Sequence, residues 1–101
     1  MNFLDHPRKG LARCLVDEDL GIERLRVHIS EVGPGTRSHP PHQHEDVEAF
    51  YMLEGEGTLE IDGASQLIRA GEAIMFDATK LHGLVNTGTA QMRYMVILTP
   101  R

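Results

Sequence analysis

At 101 residues, 41% hydrophobic and 25% charged, the chain fits one small domain around one core. No apolar run approaches the ~20 residues that a helix needs to cross a bilayer, so no membrane partner is expected. Ten Lys and Arg against fifteen Asp and Glu give a net charge of -5 with the signs interspersed, which offers no broad attraction to a nucleic-acid backbone. Cys14 is the only cysteine and excludes an intrachain disulfide. The stretch from Met1 to Gly10 is polar, with Pro7, Arg8 and Lys9 and no apolar run of the kind a secretory signal carries. A reducing cytoplasm is the expected compartment.

Turn signals recur from Gly10 and Gly21 through Gly33-Pro34-Gly35, Gly55, Asp62-Gly63, Gly71, Gly83 and Gly88, a punctuation that suits many short strands. Leu11 to Leu20 is too mixed for a helix. Leu25, Val27 and Ile29 alternate with polar residues, as a half-buried strand does, and this places His28 on the opposite face, toward solvent or a subunit partner. Glu48 to Leu53 is apolar on both parities: Phe50 and Met52 on one, Val47, Ala49, Tyr51 and Leu53 on the other. Such a strand is covered on both faces, and a second subunit is a natural second cover. Asp62-Gly63 joins Thr58–Ile61 to Gln66–Ile68 as a type I′ hairpin, whose two central positions need positive φ. Met92, Tyr94, Val96 and Leu98 form a last alternating strand, with Arg93 on its solvated side. The fold class is all-β.

Half of the six histidines, His39, His42 and His44, lie between positions 39 and 44. His42 and His44 share a strand face, and two imidazoles on one face can share a metal ion. Glu48 has the same parity, yet four residues of straight strand would carry it about 13 Å beyond His44. It joins the pair only if the chain bends near Glu45 and Asp46, residues that suit a corner. His82 is a fourth candidate if the fold brings its strand opposite. His39 has the wrong parity for the pair and is left at the mouth or in an outer role. His6 and His28 read as ordinary surface or hydrogen-bonded histidines.

These residues resemble the two motifs of the cupin superfamily, over nearly the whole stretch from Leu25 to Pro100. The first motif is matched by Gly35, His42, His44, Glu48 and Gly55, with six residues rather than five after Gly35. The second is matched by Gly71, His82 and Asn86, with Asp77 where proline is usual and Thr79 where glycine is usual. The resemblance implies a double-stranded β-helix, or jelly-roll barrel, over residues 25–100, with residues 1–24 as an N-terminal segment and first strands packed on the barrel or on a dimer partner. It further implies one divalent metal, iron, manganese, nickel, copper or zinc, held by His42, His44, Glu48 and His82. Phe50, Met52, Leu84 and Met75 would line an apolar pocket around it, and the chain would be a homodimer.

Three neutral imidazoles, one carboxylate and a divalent ion sum to about +1, a charge that favours small anionic or oxygen-rich ligands. Two functions from different classes fit: a metalloenzyme of dioxygenase, isomerase, lyase or decarboxylase type, and a non-catalytic metal- or metabolite-binding module such as a sensor or carrier. A third reading takes the histidine cluster as a solvated loop. His39, Tyr51 and Asp77 are the candidate acids and bases for the first, and no spacing assigns any of them a role.

Overall fold

Nine strands and no helix form among the described residues, 2–21 and 24–100 of a computed structural model. Positions 22 and 23 of the N-terminal segment, with the two terminal residues, lie outside that description. The strands are β1 (Phe3–Asp5), β2 (Leu15–Asp17), β3 (Arg26–Val32), β4 (Asp46–Glu54), β5 (Glu56–Ile61), β6 (Ala64–Arg69), β7 (Ala73–Asp77), β8 (His82–Val85) and β9 (Met92–Pro100). Strands β3-β9-β4-β7 make one antiparallel sheet and β6-β5-β8 a second, while β1 and β2 pair with each other apart from both. Two sheets, each apolar on one face, bury those faces against each other, as a double-stranded β-helix requires.

The alternation assigned to β9 holds: Met92, Tyr94, Val96 and Leu98 are buried and Arg93 pairs with Glu31 at 3.2 Å on the outer side. Met52, Leu59 and Met92 are fully buried, and each contributes roughly 1.5–3 kcal/mol by leaving water. The β5–β6 hairpin turns on Asp62 at φ 46° and Gly63 at φ 85°, both positive, as a type I′ turn demands. The Asp62 side chain also accepts a hydrogen bond from the Leu81 amide at 3.2 Å, which ties this hairpin to the chain just before β8.

β3 is inverted relative to expectation. Its inward residues are His28, Ser30 and Val32, while Val27 and Ile29 face the N-terminal segment. Ile29 is buried there without belonging to the main core, and its amide donates to the Lys9 carbonyl at 3.0 Å. Period-2 alternation identifies two faces of a strand but not which one is interior. With both faces of β3 covered, the apolar stripe marked the wrong side. β7 carries a smaller error of the same kind. Met75 is 80% exposed on the outer face, and its neighbour Phe76 takes the inward position. Met52 is sealed in the core rather than lining a pocket.

Candidate metal centre

The polypeptide crosses between the two sheets just where the site forms. His42 forms an isolated antiparallel bridge with His82, each amide donating to the other's carbonyl at 2.9 Å. A bend at Glu45 then turns the chain into β4 of the opposite sheet, so that Glu48 faces back toward His44. This is the reversal that the 13 Å argument required. Glu48 Oε1 lies 3.0 Å from His44 Nε2 and 3.4 Å from His82 Nε2. Ligand atoms of His42, His44 and His82 all lie within 4.8 Å of one another.

The turn before His82 explains how Asp77 and Thr79 can stand where proline and glycine are usual. Asp77 Oδ1 accepts from the Thr79 amide at 3.0 Å and from the Thr79 hydroxyl at 2.6 Å, so a side chain closes the turn. Asp62 is the only non-glycine residue at positive φ among those described, so position 79 does not need glycine. Asn86 is fully buried: its amide donates to the Val32 and Ala90 carbonyls at 2.8 Å and its oxygen accepts from the Gly88 amide at 2.9 Å. It fastens the β8–β9 connection to the end of β3.

Outer partners orient two of the imidazoles. His44 Nδ1 lies 2.5 Å from Asp46 Oδ2, and His82 Nδ1 lies 2.8 Å from the Lys80 carbonyl oxygen. Each contact is satisfied when Nδ1 carries the proton, which leaves the Nε2 lone pair directed at Glu48. Glu48 Oε1 and His82 Nε2 are buried and form no hydrogen bond of acceptable geometry despite their closeness. Acceptors thus converge on acceptors, an arrangement that is costly in isolation and that a cation relieves. The donor set, three imidazole nitrogens and one carboxylate oxygen, fits a divalent transition metal.

The electrostatics follow the same geometry. Burial pushes the Glu48 carboxyl above its usual range, against the opposing pull of His82 and His44. Desolvation among its neighbours, then the charges of His39, His82 and His44, lower His42 to about 4. The His42 residue is itself exposed at the mouth, so its ring is the most accessible of the three.

A cavity of about 270 Å³ opens beside these groups. Phe50, Leu84, Val96 and Leu98 form its apolar wall; Ser38 and Tyr94, whose hydroxyls lie 3.2 Å apart, contribute polar atoms. His39 lines the mouth with its ring 4.1 Å from that of His42, and Phe76 packs edge-on against His82 at 4.8 Å. Two sequence candidates for acid–base work are displaced. Tyr51 is exposed on the outer face of β4, across the sheet from Glu48, and Asp77 closes the turn described above. Sequence reading missed Asp46, Tyr94 and Ser38, and it placed His28 outside when it lines this cavity. The signal available for Asp46 was a carboxylate two residues from a candidate ligand.

The chain is similar to several known proteins. A 57-residue segment, 56% of the chain, is 42% identical to the dimethylsulfoniopropionate lyase DddW of Ruegeria pomeroyi and covers 37% of that protein. A 58-residue segment, again 56% of the chain, is 31% identical to an oxalate-binding protein of Thermotoga maritima and covers 48% of it. The chain therefore matches less than half the length of each of these curated relatives. Among solved structures, a Thermus thermophilus protein superposes with a TM-score of 0.71 at 26% identity, over 81% of this chain and 78% of that one. The cupin-domain model of the Cupin_2 family matches residues 28–98, from β3 through most of β9, and the chain belongs to that family.

Proposed function

We propose that this cupin binds one divalent transition metal through His42, His44, Glu48 and His82 and acts as a metal-dependent enzyme on a small carboxylate-bearing compound, by lyase or decarboxylase chemistry. The convergence of three imidazoles on a buried carboxylate oxygen that lacks a hydrogen-bond partner carries this reading. When bound, the metal supplies Lewis acidity that polarises a carbonyl or carboxylate oxygen. The chain's own residues hold the ligand set rigid, keep bulk water off one side with Phe50, Leu84, Val96 and Leu98, and present Tyr94 and His39 as groups able to exchange a proton at the cavity. The relatives support the substrate class, since one is named for cleaving dimethylsulfoniopropionate and the other for binding oxalate, both small carboxylates. Metal analysis of protein purified without a histidine tag is expected to find about one ion per chain. A content near zero after growth with added iron, manganese, nickel and zinc overturns the reading.

The oxalate-binding relative also favours a second reading, a cupin that binds a small carboxylate without turning it over. An assay of short carboxylates for product release separates the two: saturable binding with no product supports the binding module. On either reading we infer a homodimer. Val47 and Tyr51 on β4 and Met75 on β7 expose adjacent apolar surface on the outer face of the larger sheet, where Ala49 pairs with Met75. Light scattering is expected to report twice the 11.3 kDa chain mass, and a particle of 11.3 kDa at micromolar concentration overturns it.

A further inference from the structure

The end of the cavity remote from the histidine cluster is built from different chemistry. His28 and Ser30 on β3 line it, together with Lys9 from the N-terminal segment. His28 pairs with Val96, which in turn pairs with Phe50 of β4, so His28 lies two strand spacings from β4, roughly 10 Å backbone to backbone. Among the described residues, Glu48 is the only acidic one lining the cavity, and it belongs to the histidine end. At the other end the surroundings are basic: Lys9, Arg26 and Arg8, after burial, all act to keep His28 neutral.

Lys9 is held there by the backbone. Its carbonyl accepts from the Ile29 amide at 3.0 Å, and Gly10, at φ 75°, packs so closely on β3 that a Cβ would lie 2.3 Å from the Ile29 oxygen. Only glycine allows that approach, so the register of Lys9 against His28 and Ser30 is set by contact. Lys9, Ser30 and Ser38 also line an adjoining groove of about 390 Å³, which makes them the rim between the cavity and the surface; Glu31, the acidic residue of that groove, pairs with Arg93 at 3.2 Å.

We propose that Lys9, with Ser30 and His28 beside it, is the carboxylate-binding end of this cavity, so that the ligand is a short carboxylate reaching from Lys9 to the histidine cluster. An ammonium at the rim draws a carboxylate in, and Ser30, buried in the wall, offers a hydroxyl donor. A cavity of 270 Å³ has room for about nine waters at about 30 Å³ each, which sets the ligand at roughly ten non-hydrogen atoms or fewer. The identity of the ligand's other end rests on the metal reading above, whereas the role of Lys9 does not.

Two probes, 3-hydroxypropionate and its neutral amide, test this by calorimetric titration of the full chain after metal loading, with metal content measured on the same samples. Lys9→Met is expected to weaken binding of the acid at least tenfold, to leave the amide unchanged, and to keep the wild-type metal content and melting temperature. Lys9→Arg is expected to restore the acid to within about threefold of wild type. Equal affinity for acid and amide in the wild type, no binding of the acid, or a Lys9→Met affinity for the acid within twofold of wild type overturns the proposal. Lys9-dependent binding of the acid to protein that holds no metal upholds it and overturns the metal reading instead. One metal per chain with Lys9-independent binding does the reverse.

Discussion

The two ends of the cavity differ in how they are held. At the histidine end, His82 is 1% exposed, its backbone is bonded in both directions to His42, and its ring is fixed by the Lys80 carbonyl on one side and Phe76 on the other. At the Lys9 end, the side chain is exposed on a segment joined to β3 by the backbone bond from the Ile29 amide to the Lys9 carbonyl and the close packing of Gly10. Coordination tolerates errors of only a few tenths of an ångström, whereas a charge attracting a carboxylate works over a range of positions. The fold spends its rigidity where the chemistry demands it. Substitutions at the first end are therefore expected to change metal content and stability together, and those at the second to change ligand affinity alone.

The largest effect is expected at His82. His82→Ala removes one of the proposed ligands and leaves a gap against Phe76 in a fully enclosed position. At free metal one hundred times the dissociation constant, binding to the native state adds about 2.7 kcal/mol, or about 10–20 °C for a domain of this size. Calorimetry with and without metal is expected to show that increment in the wild type and none in His82→Ala. A metal-dependent rise of equal size in the variant breaks the contrast between the two ends.

Asp46→Asn sharpens it by touching the outer partner of a proposed ligand, His44, and not His44 itself. Asp46 Oδ2 accepts a hydrogen bond from His44 Nδ1 at 2.5 Å, with Arg26 at 4.0 Å from the same oxygen. Asparagine keeps the shape but loses the charge that raises the basicity of the imidazole. Metal affinity is expected to fall about 10–100-fold, with one ion still bound at saturation. Competition against a chelator measures it, and a change under threefold would show that the Asp46 contact does not tune the site.

How far the sequence foretold these ends follows from the kind of signal each leaves. Asp62-Gly63 was legible because few residue pairs accept positive φ twice in succession. That His42, His44, Glu48 and His82 would converge was legible from their motif, and the distance from His44 to Glu48 even demanded the bend found at Glu45. The pairing of His42 with His82 was not, since a bridge between segments forty residues apart leaves no local trace. Nor was the inward face of β3, where Val27 and Ile29 pack under the N-terminal segment and His28 and Ser30 turn to the cavity. Alternation reports that a strand has an apolar face; only the tertiary fold decides whether that face is the barrel interior. Lys9 was invisible for a related reason, because its position depends on the contact of Gly10 with Ile29.

The smallest expected effect is a pH dependence confined to the histidine end of the metal-free protein. His42 is lowered to about 4 in the native state, while an unfolded histidine titrates near 6.5. Between those values the unfolded chain holds a proton on this residue that the native chain does not. Stability contributed by keeping His42 neutral is therefore present above about 6.5 and is lost as pH falls toward 4. His28 is shifted in the same direction, and Glu48 in the opposite one, because a raised carboxyl favours the native state at the acid end of its range. The His42 part is isolated by comparing the wild type with His42→Asn, which removes only that titration. The stability difference between wild type and variant is expected to shrink as pH falls from 6.5 to 4, measured by denaturant melts in the presence of chelator. A difference that stays constant across that window would mean that the ring of His42, exposed at the mouth, keeps its ordinary affinity for a proton, and that the neighbouring imidazoles crowd it less than their 4.1–4.9 Å ring separations imply.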